Sequence, residues 1–258
     1  MGAYTNIGLV KHAQKALALP TKYMWGGTLY PITDAYINSK VSDYKKFDPT
    51  GKTTGYTPER IQTLRTFAGK GYYGVDCVCL IKSYPWSGNP ESGGVKSPKY
   101  NGATDVNAGT MYNLAKVKGK ISTMPEIPGL IVYSKSHPHV GIYIGNGYTI
   151  ESTLGARGDG VVKRKLDNFW ELWFECPFIE YQKAAATGSG IKTKTCTLAF
   201  PAKIRSEPKA TAKQLGRLEA GSTVAYIIGS DTIDNASKST YVKIDGETDQ
   251  WIVKSAIK

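Results

Sequence analysis

Apolar residues recur at helical spacing through the first half of this chain, and from Leu130 onward they recur at every second position. That change of period restricts the fold more than any other feature, because a 3.6-residue repeat and a two-residue repeat build different elements. Asn6 is placed to cap a first helix with Ile7, Val10, Ala13 and Leu17 on its apolar face and Pro20 ending it. His12 falls on the polar side of that helix and is expected at the surface. Thr57-Pro58-Glu59 signals a second helix, with Ile61, Leu64 and Phe67 inward and Gly69 at its C-terminal end. A third is expected from near Asp76 to Pro85 and a fourth over Thr110–Val117, whereas Leu29–Lys70 holds only the second helix and otherwise reads as polar surface loops. Leu130–Tyr133, His139–Ile144, Tyr148–Ser152, Val161–Lys165 and Pro177–Tyr181 then read as strands separated by Gly, Asn and Pro. Helices followed by an antiparallel meander predict an α+β domain.

Residues 183–194 are small and polar, as in a flexible linker. They divide the chain into domains over 1–182 and 195–258. In the second part Val224–Ile228, Tyr241–Ile244 and Trp251–Val253 alternate apolar and polar positions between closely spaced turns, which predicts a small all-β barrel. Hydrophobic residues make up 41% and charged residues 21% of the 258, enough apolar content for packed cores. The formal net charge is +12, of which residues 190–258 carry +4 (11 Lys and Arg against 7 Asp and Glu), leaving +8 for residues 1–189. A basic balance of this kind suits a polyanion, whether nucleic acid or an anionic cell wall, and equally describes a solvated basic surface with no specific anion site. No nucleic-acid motif accompanies it, and the one basic cluster is Lys163-Arg164-Lys165. No apolar run approaches the roughly 18 residues of a membrane span, and the first residues do not read as a signal peptide, so synthesis in the cytoplasm is expected. The cysteines Cys77, Cys79, Cys176 and Cys196 are too few for a disulfide scaffold and lack zinc-site spacing, so neither metal nor cofactor is expected.

Asp76 occupies the cap position of the third helix, which puts Cys77 in its first turn. Free backbone N–H groups there stabilise a thiolate and can cradle the oxyanion of an attacked carbonyl. A buried structural cysteine is the competing reading. A nucleophile needs a base, and the candidates are His137 and His139 on either side of Pro138. His139 opens a strand, a firmer platform than the preceding loop. Glu151 is the candidate for orienting the imidazole. If Gly145-Asn146-Gly147 is a three-residue loop, Ile144 opposes Tyr148, Gly141 opposes Glu151, and Glu151 shares a face with His139. A two-residue Asn-Gly turn would send Glu151 to the opposite face, as an exposed strand glutamate.

Tyr23-Met-Trp25-Gly26-Gly27, Asp76-Cys77-Val-Cys79-Leu-Ile, Pro128-Gly129 and His139-Val-Gly-Ile-Tyr-Ile-Gly resemble the NlpC-type cell-wall cysteine peptidases, which are papain-like. Asp76-Cys-Val-x-Leu-Ile-Lys, Gly145-Asn-Gly-Tyr-x-Ile-Glu151 and Trp170…Trp173…Cys176-Pro177 are similar to the phage and prophage members. The resemblance covers about residues 5–181 and implies Cys77 as nucleophile, His139 as base and Glu151 at the orienting position. It also implies Tyr23, Trp25 and Asp76 as substrate-binding residues, with Tyr23 and Asp76 gripping a stem-peptide amine in several relatives. Val78 and Cys79 replace the common Ser and Gly, and the 46 residues between Gly27 and Gly74 far exceed the usual spacer. Ile204-Arg205-Ser-Glu-Pro208, Leu215-Gly216-x-Leu218-x-x-Gly221 and Trp251-Ile-Val resemble a bacterial SH3 domain, a module that commonly binds cell-wall peptides or glycans.

Together these resemblances imply a peptidoglycan hydrolase of the endolysin kind. It would cut a peptide bond in the stem or cross-bridge through an acyl-enzyme, acting on the wall after release, with no nucleic-acid partner and no stable membrane association. An N-acetylmuramoyl-L-alanine amidase using the same site, or an inactive wall-binding protein, are the alternatives. Oligomeric state is open.

Overall fold

The computed structural model describes residues 3–94, 104–181, 193–227, 230–244 and 250–258. Contacts divide the chain into two units, Met1–Ala186 and Thr187–Lys258. Linker residues 183–192 and the strand-end residue Ile228 lie outside the described residues.

The first unit opens with α1, Asn6–Leu17. Its cap is Thr5 rather than Asn6: Thr5 is extended and its hydroxyl accepts from the Gly8 N–H at 3.1 Å. Asn6 is the first helical residue, and its amide donates instead to the Pro128 carbonyl at 2.9 Å. His12 is fully buried, contrary to the surface position expected from its helical face. Gly94 N–H donates to its Nδ1 at 3.2 Å, so Nε2 donates to Ser83 Oγ at 2.8 Å, and Ser83 Oγ donates to the Leu80 carbonyl. Each polar atom has a partner, which is what lets an imidazole sit in a core. Burial pushes its pKa down to about 4, with Lys15 adding to the effect and a backbone hydrogen bond to Leu80 opposing it.

After β1 (Thr21–Tyr23) and β2 (Thr28–Pro31) comes a helix that periodicity did not reveal, α2 (Asp34–Tyr44). Only Ile37 of it is buried, so it has no apolar stripe to read, and its sequence signal is the cap: Tyr36 N–H donates to Thr33 Oγ1 at 3.1 Å. Helix α3 (Pro58–Arg65) is capped by Thr57 as expected. The two helices pack around Met24, Ile32, Ile37, Tyr56 and Leu64. The long segment after Gly27 is therefore not surface loop but a small layer with its own core. Strand β3 (Tyr73–Val75) runs parallel to β1 and antiparallel to β2, giving the order β1-β3-β2.

Helix α4 (Cys77–Trp86) is buried at every residue but Pro85, which sits in its last turn rather than ending it. Helix α5 spans Ala108–Leu114, two residues earlier than its pattern suggested, because Asn107 caps it. Strands β4 (Lys118–Lys120), β5 (Ile131–Ser134), β6 (His139–Gly145), β7 (Tyr148–Gly155), β8 (Gly158–Lys165) and β9 (Leu172–Phe174) form one antiparallel sheet in the order β4-β9-β5-β6-β7-β8. Pro177–Tyr181 is not a strand; only Glu180 forms a bridge, to Thr5, and Pro177 has no N–H to extend a ladder. Alternation assigns the faces. Ile131, Tyr133, Val140, Ile142 and Ile150 join Leu9, Leu80, Ile81 and Tyr84 of the helices, whereas Val132, Tyr143, Trp170 and Trp173 form a second core behind the sheet.

In the second unit β10 (Thr193–Thr197), starting inside the expected linker, pairs with β13 (Thr223–Ile227). Strands β11 (Ala202–Arg205), β12 (Gln214–Leu218), β14 (Thr232–Asp234), β15 (Ser239–Lys243) and β16 (Trp251–Val253) form a sheet in the order β12-β11-β16-β15-β14. Leu198, Val224, Val242, Ile252 and Ala256 fill the core between them. Among the described residues no helix is long and apolar enough to cross a membrane.

Candidate active site

Asp76 caps α4 and ties it to the Trp25-Gly26-Gly27 turn: Oδ1 accepts from Cys79 N–H at 2.5 Å and Oδ2 from Gly26 N–H at 2.7 Å. Gly26 has φ +68°, a conformation only glycine adopts at little cost, so the turn and the cap are built for each other. Cys77 follows as the first helical residue, where the helix supplies no carbonyl for its N–H or that of Val78. Cys77, Cys79, Cys176 and Cys196 are all free thiols. Burial, reinforced by the neighbouring Asp76, pushes the Cys79 thiol well up, which keeps it neutral.

His139 begins β6 and Glu151 lies on β7. The register is Ile142 opposite Ile150 and Tyr143 opposite Thr149, but Gly145 opposite Tyr148. The turn is thus the two-residue Asn146-Gly147, both at positive φ, and Ile144 is a bulge that adds back the missing residue. A two-residue turn had been expected to separate Glu151 from His139. The bulge restores the parity of a three-residue loop, and Nε2 of His139 donates to Glu151 Oε2 at 2.6 Å. Cys77 is the second group that acts on the imidazole, by hydrogen bonding and by charge. Burial alone would lower the His139 pKa, but the hydrogen bonds and charges of Cys77 and Glu151 outweigh it and raise the value to about 9. The ring stacks on Trp170 at 5.7 Å and 19°. His137, the other candidate base, stays exposed in the β5–β6 turn, stacked on Phe169.

Glu151 is fully buried, and sequence reasoning missed what makes that tolerable. Arg157, in the β7–β8 turn, donates to Oε1 through Nη2 at 2.8 Å and Nε at 3.2 Å, and its Nη1 donates to Asp167 at 3.0 Å. Burial would raise the Glu151 pKa; His139 and Arg157 overcome it and hold the carboxyl below its ordinary range. The sequence carries no signal for this pairing, because only the burial of an ionised Glu151 calls for a cation beside it.

Two clefts meet at this site. One of about 420 Å³ runs past Cys77 between Trp25, Tyr44, Lys82 and Trp86, and one of about 250 Å³ lies beside His139 between Thr54 and Leu154. Tyr23 and Trp25 border both, and Asp76 borders the first. Burial and the nearby Cys77 push the Tyr23 phenol up, so it stays a hydrogen-bond donor. Asp159 accepts from Tyr23 N–H at 3.1 Å while Arg60 donates to the Tyr23 carbonyl at 2.6 Å and to Asp159 at 2.7 Å, fixing this residue from both sides. Among the described residues no group of three His, Cys, Asp or Glu side chains is placed to hold a metal ion.

No protein-family model matches the chain, and no curated protein matches it. Among solved structures it is similar to the P60 domain of an antigen from M. avium subspecies paratuberculosis, at 18% identity and a TM-score of 0.35 over 68% of this chain and 98% of that one. It is also similar to the peptidoglycan hydrolase RipB from Mycobacterium tuberculosis, at 18% identity and 0.36 over 68% and 67% of the two chains. Ly7917 aligns with 98% of this chain and 95% of its own, at 11% identity and a TM-score of 0.28.

Proposed function

We propose that this protein is a cysteine hydrolase of bacterial peptidoglycan, cutting a peptide bond in the stem or cross-bridge. The observation that carries the chemistry is the imidazole of His139 bonded to the buried Glu151 carboxylate and acted on by Cys77. The peptidoglycan substrate follows from the sequence motifs around these residues.

The Cys77 thiolate attacks the peptide carbonyl, forming a C–S bond, and the carbonyl oxygen takes up negative charge beside the Cys77 and Val78 N–H groups. As the C–N bond breaks, His139 gives its proton to the leaving amine. Neutral His139 then takes a proton from water, which attacks the thioester; the C–S bond breaks and the Cys77 thiolate and protonated His139 are restored. Glu151 keeps the imidazole oriented and stabilises it while charged. Tyr23 and Trp25 line the substrate path, and Asp76 holds the nucleophile's turn against it. Residues 1–182 are read as the papain-like peptidase domain, and 195–258 as an SH3-like module that keeps the enzyme on the wall, an arrangement of the phage endolysin kind.

Purified Cys77→Ala should lose wall lysis and retain wall binding; full lysis by that variant would overturn the assignment. Mass spectrometry of the soluble products identifies the bond, since peptide freed from muramic acid would mean an amidase.

A further inference from the structure

We infer that Arg157 is a positioning residue of this site: its guanidinium, together with His139, keeps the buried Glu151 carboxylate charged and fixed, and thereby sets the pH range in which Cys77 and His139 work. The inference rests on the proposed role of these two residues. A lone carboxylate with no solvent exposure would bind a proton rather than stay ionised. Arg157 and His139 together prevent this, Arg157 with two N–H groups on Oε1 and His139 on Oε2. The guanidinium is itself fixed, by Asp167 at 3.0 Å and by the faces of Phe169 at 4.1 Å and Trp170 at 5.5 Å. Those same two rings lie against His139, at 5.9 and 5.7 Å. Arg157 and His139 therefore share one carboxylate and one aromatic wall.

The charged and titratable groups facing Glu151 come from every packed element. His139 comes from β6 and is itself acted on by Cys77 of α4, Arg157 comes from the β7–β8 turn, Arg164 from β8, and Asp167 from the segment after β8. Arg164 is the other cation, but its Nε stands 3.9 Å from Oε1, beyond hydrogen-bonding distance, and its Nη1 donates to the Arg157 carbonyl. In Arg157→Gln the protonated His139 still holds Glu151 ionised from Oε2, so removing the guanidinium charge should raise the proton affinity of Glu151 and His139 together and move the limbs of a pH profile upward.

The test uses the full chain and follows Cys77 alkylation by iodoacetamide from pH 4 to 10, read on the Cys77 peptide by mass spectrometry, beside wall hydrolysis over the same range. In Arg157→Gln the acid limb of alkylation should move up by about one pH unit, a roughly tenfold loss of reactivity at the foot of the limb. Arg157→Lys keeps the charge without the fork and should fall between wild type and Arg157→Gln. Limbs that superimpose on wild type in folded Arg157→Gln, with rates lowered equally at every pH, would mean a structural role only and overturn the inference. If Arg157→Gln does not fold, Arg157→Met, which removes the charge but keeps a chain against Phe169, decides, an undisplaced limb being the overturning result. Alkylation needs no wall substrate, so a protein with the shifted limbs but no lysis would sink the proposed function and leave the role of Arg157 standing.

Discussion

Glu151→Gln changes one charge at nearly constant shape, and the surroundings of Glu151 allow its effects to be worked out. His139 stands at about 9 instead of its ordinary 6.5, worth about 3 kcal/mol at roughly 1.4 kcal/mol per pH unit. Burial opposes that rise, and Cys77 and Glu151 together produce it. Losing the Glu151 share should bring the His139 midpoint down by about one unit or more, so the alkaline limb of activity falls, the opposite direction to Arg157→Gln. Stability follows the same sign. A raised imidazole contributes stability that is whole below pH 6.5 and lost as the pH climbs through about 9, and the variant should show a smaller loss over that window. The substitution also strips Arg157 of its buried partner, a change that costs about 3–5 kcal/mol where the remaining charge is fully buried and unpaired. Arg157 keeps Asp167 and is 18% exposed, so about 2–3 kcal/mol is expected at neutral pH, roughly 5–10 °C in the unfolding midpoint of a domain this size. Turnover should fall about 10²- to 10⁴-fold, as for an orienting carboxylate in a catalytic triad. The assays are calorimetry at stepped pH and the pH–rate profile on purified walls. A folded variant with an unmoved alkaline limb and less than threefold loss of turnover would refute the reasoning.

Cys79→Ala should keep wall hydrolysis within about threefold, because that thiol is held neutral, and peptide mapping after brief alkylation should find the label on Cys77. His12→Gln should flatten the acid side of the stability curve. In the wild type about 3 kcal/mol is present above pH 6.5 and lost as the pH falls through about 4, because the fold holds the imidazole neutral; urea midpoints from pH 7 to 3.5 read the difference. Arg60→Ala frees the Tyr23 carbonyl and leaves Asp159 with Lys22 as its remaining salt-bridge partner, so KM should rise several-fold with kcat nearly constant in steady-state kinetics on soluble stem peptides.

The sequence disclosed the parts of this molecule that local chemistry writes directly. Thr57-Pro58, the Asp76 cap and the alternating strands around the sheet each carry a one-residue or two-residue signal, and each element stands where that signal put it. What failed was information held by partners distant in the chain. Asn6 gave up its capping role for a carbonyl 122 residues away, and His12 became a core residue because Ser83 could accept its hydrogen bond. Helix α2 buries one residue and so leaves no stripe. Arg157 is invisible as a site residue until Glu151 is known to be buried. The hairpin shows the same limit more sharply, since both turn lengths weighed from sequence omitted the bulge at Ile144.

That bulge also governs which length changes the β6–β7 hairpin can tolerate. A strand presents alternate side chains to each face, so a single residue gained or lost between His139 and Glu151 turns the carboxylate away from the imidazole, while a pair returns it. Viable descendants of this hairpin should therefore differ in length by even numbers. Loss of the Ile144 bulge should be found only together with a one-residue lengthening of the Asn146-Gly147 turn, so the two sites would evolve as one unit although neither lines the two clefts at the site.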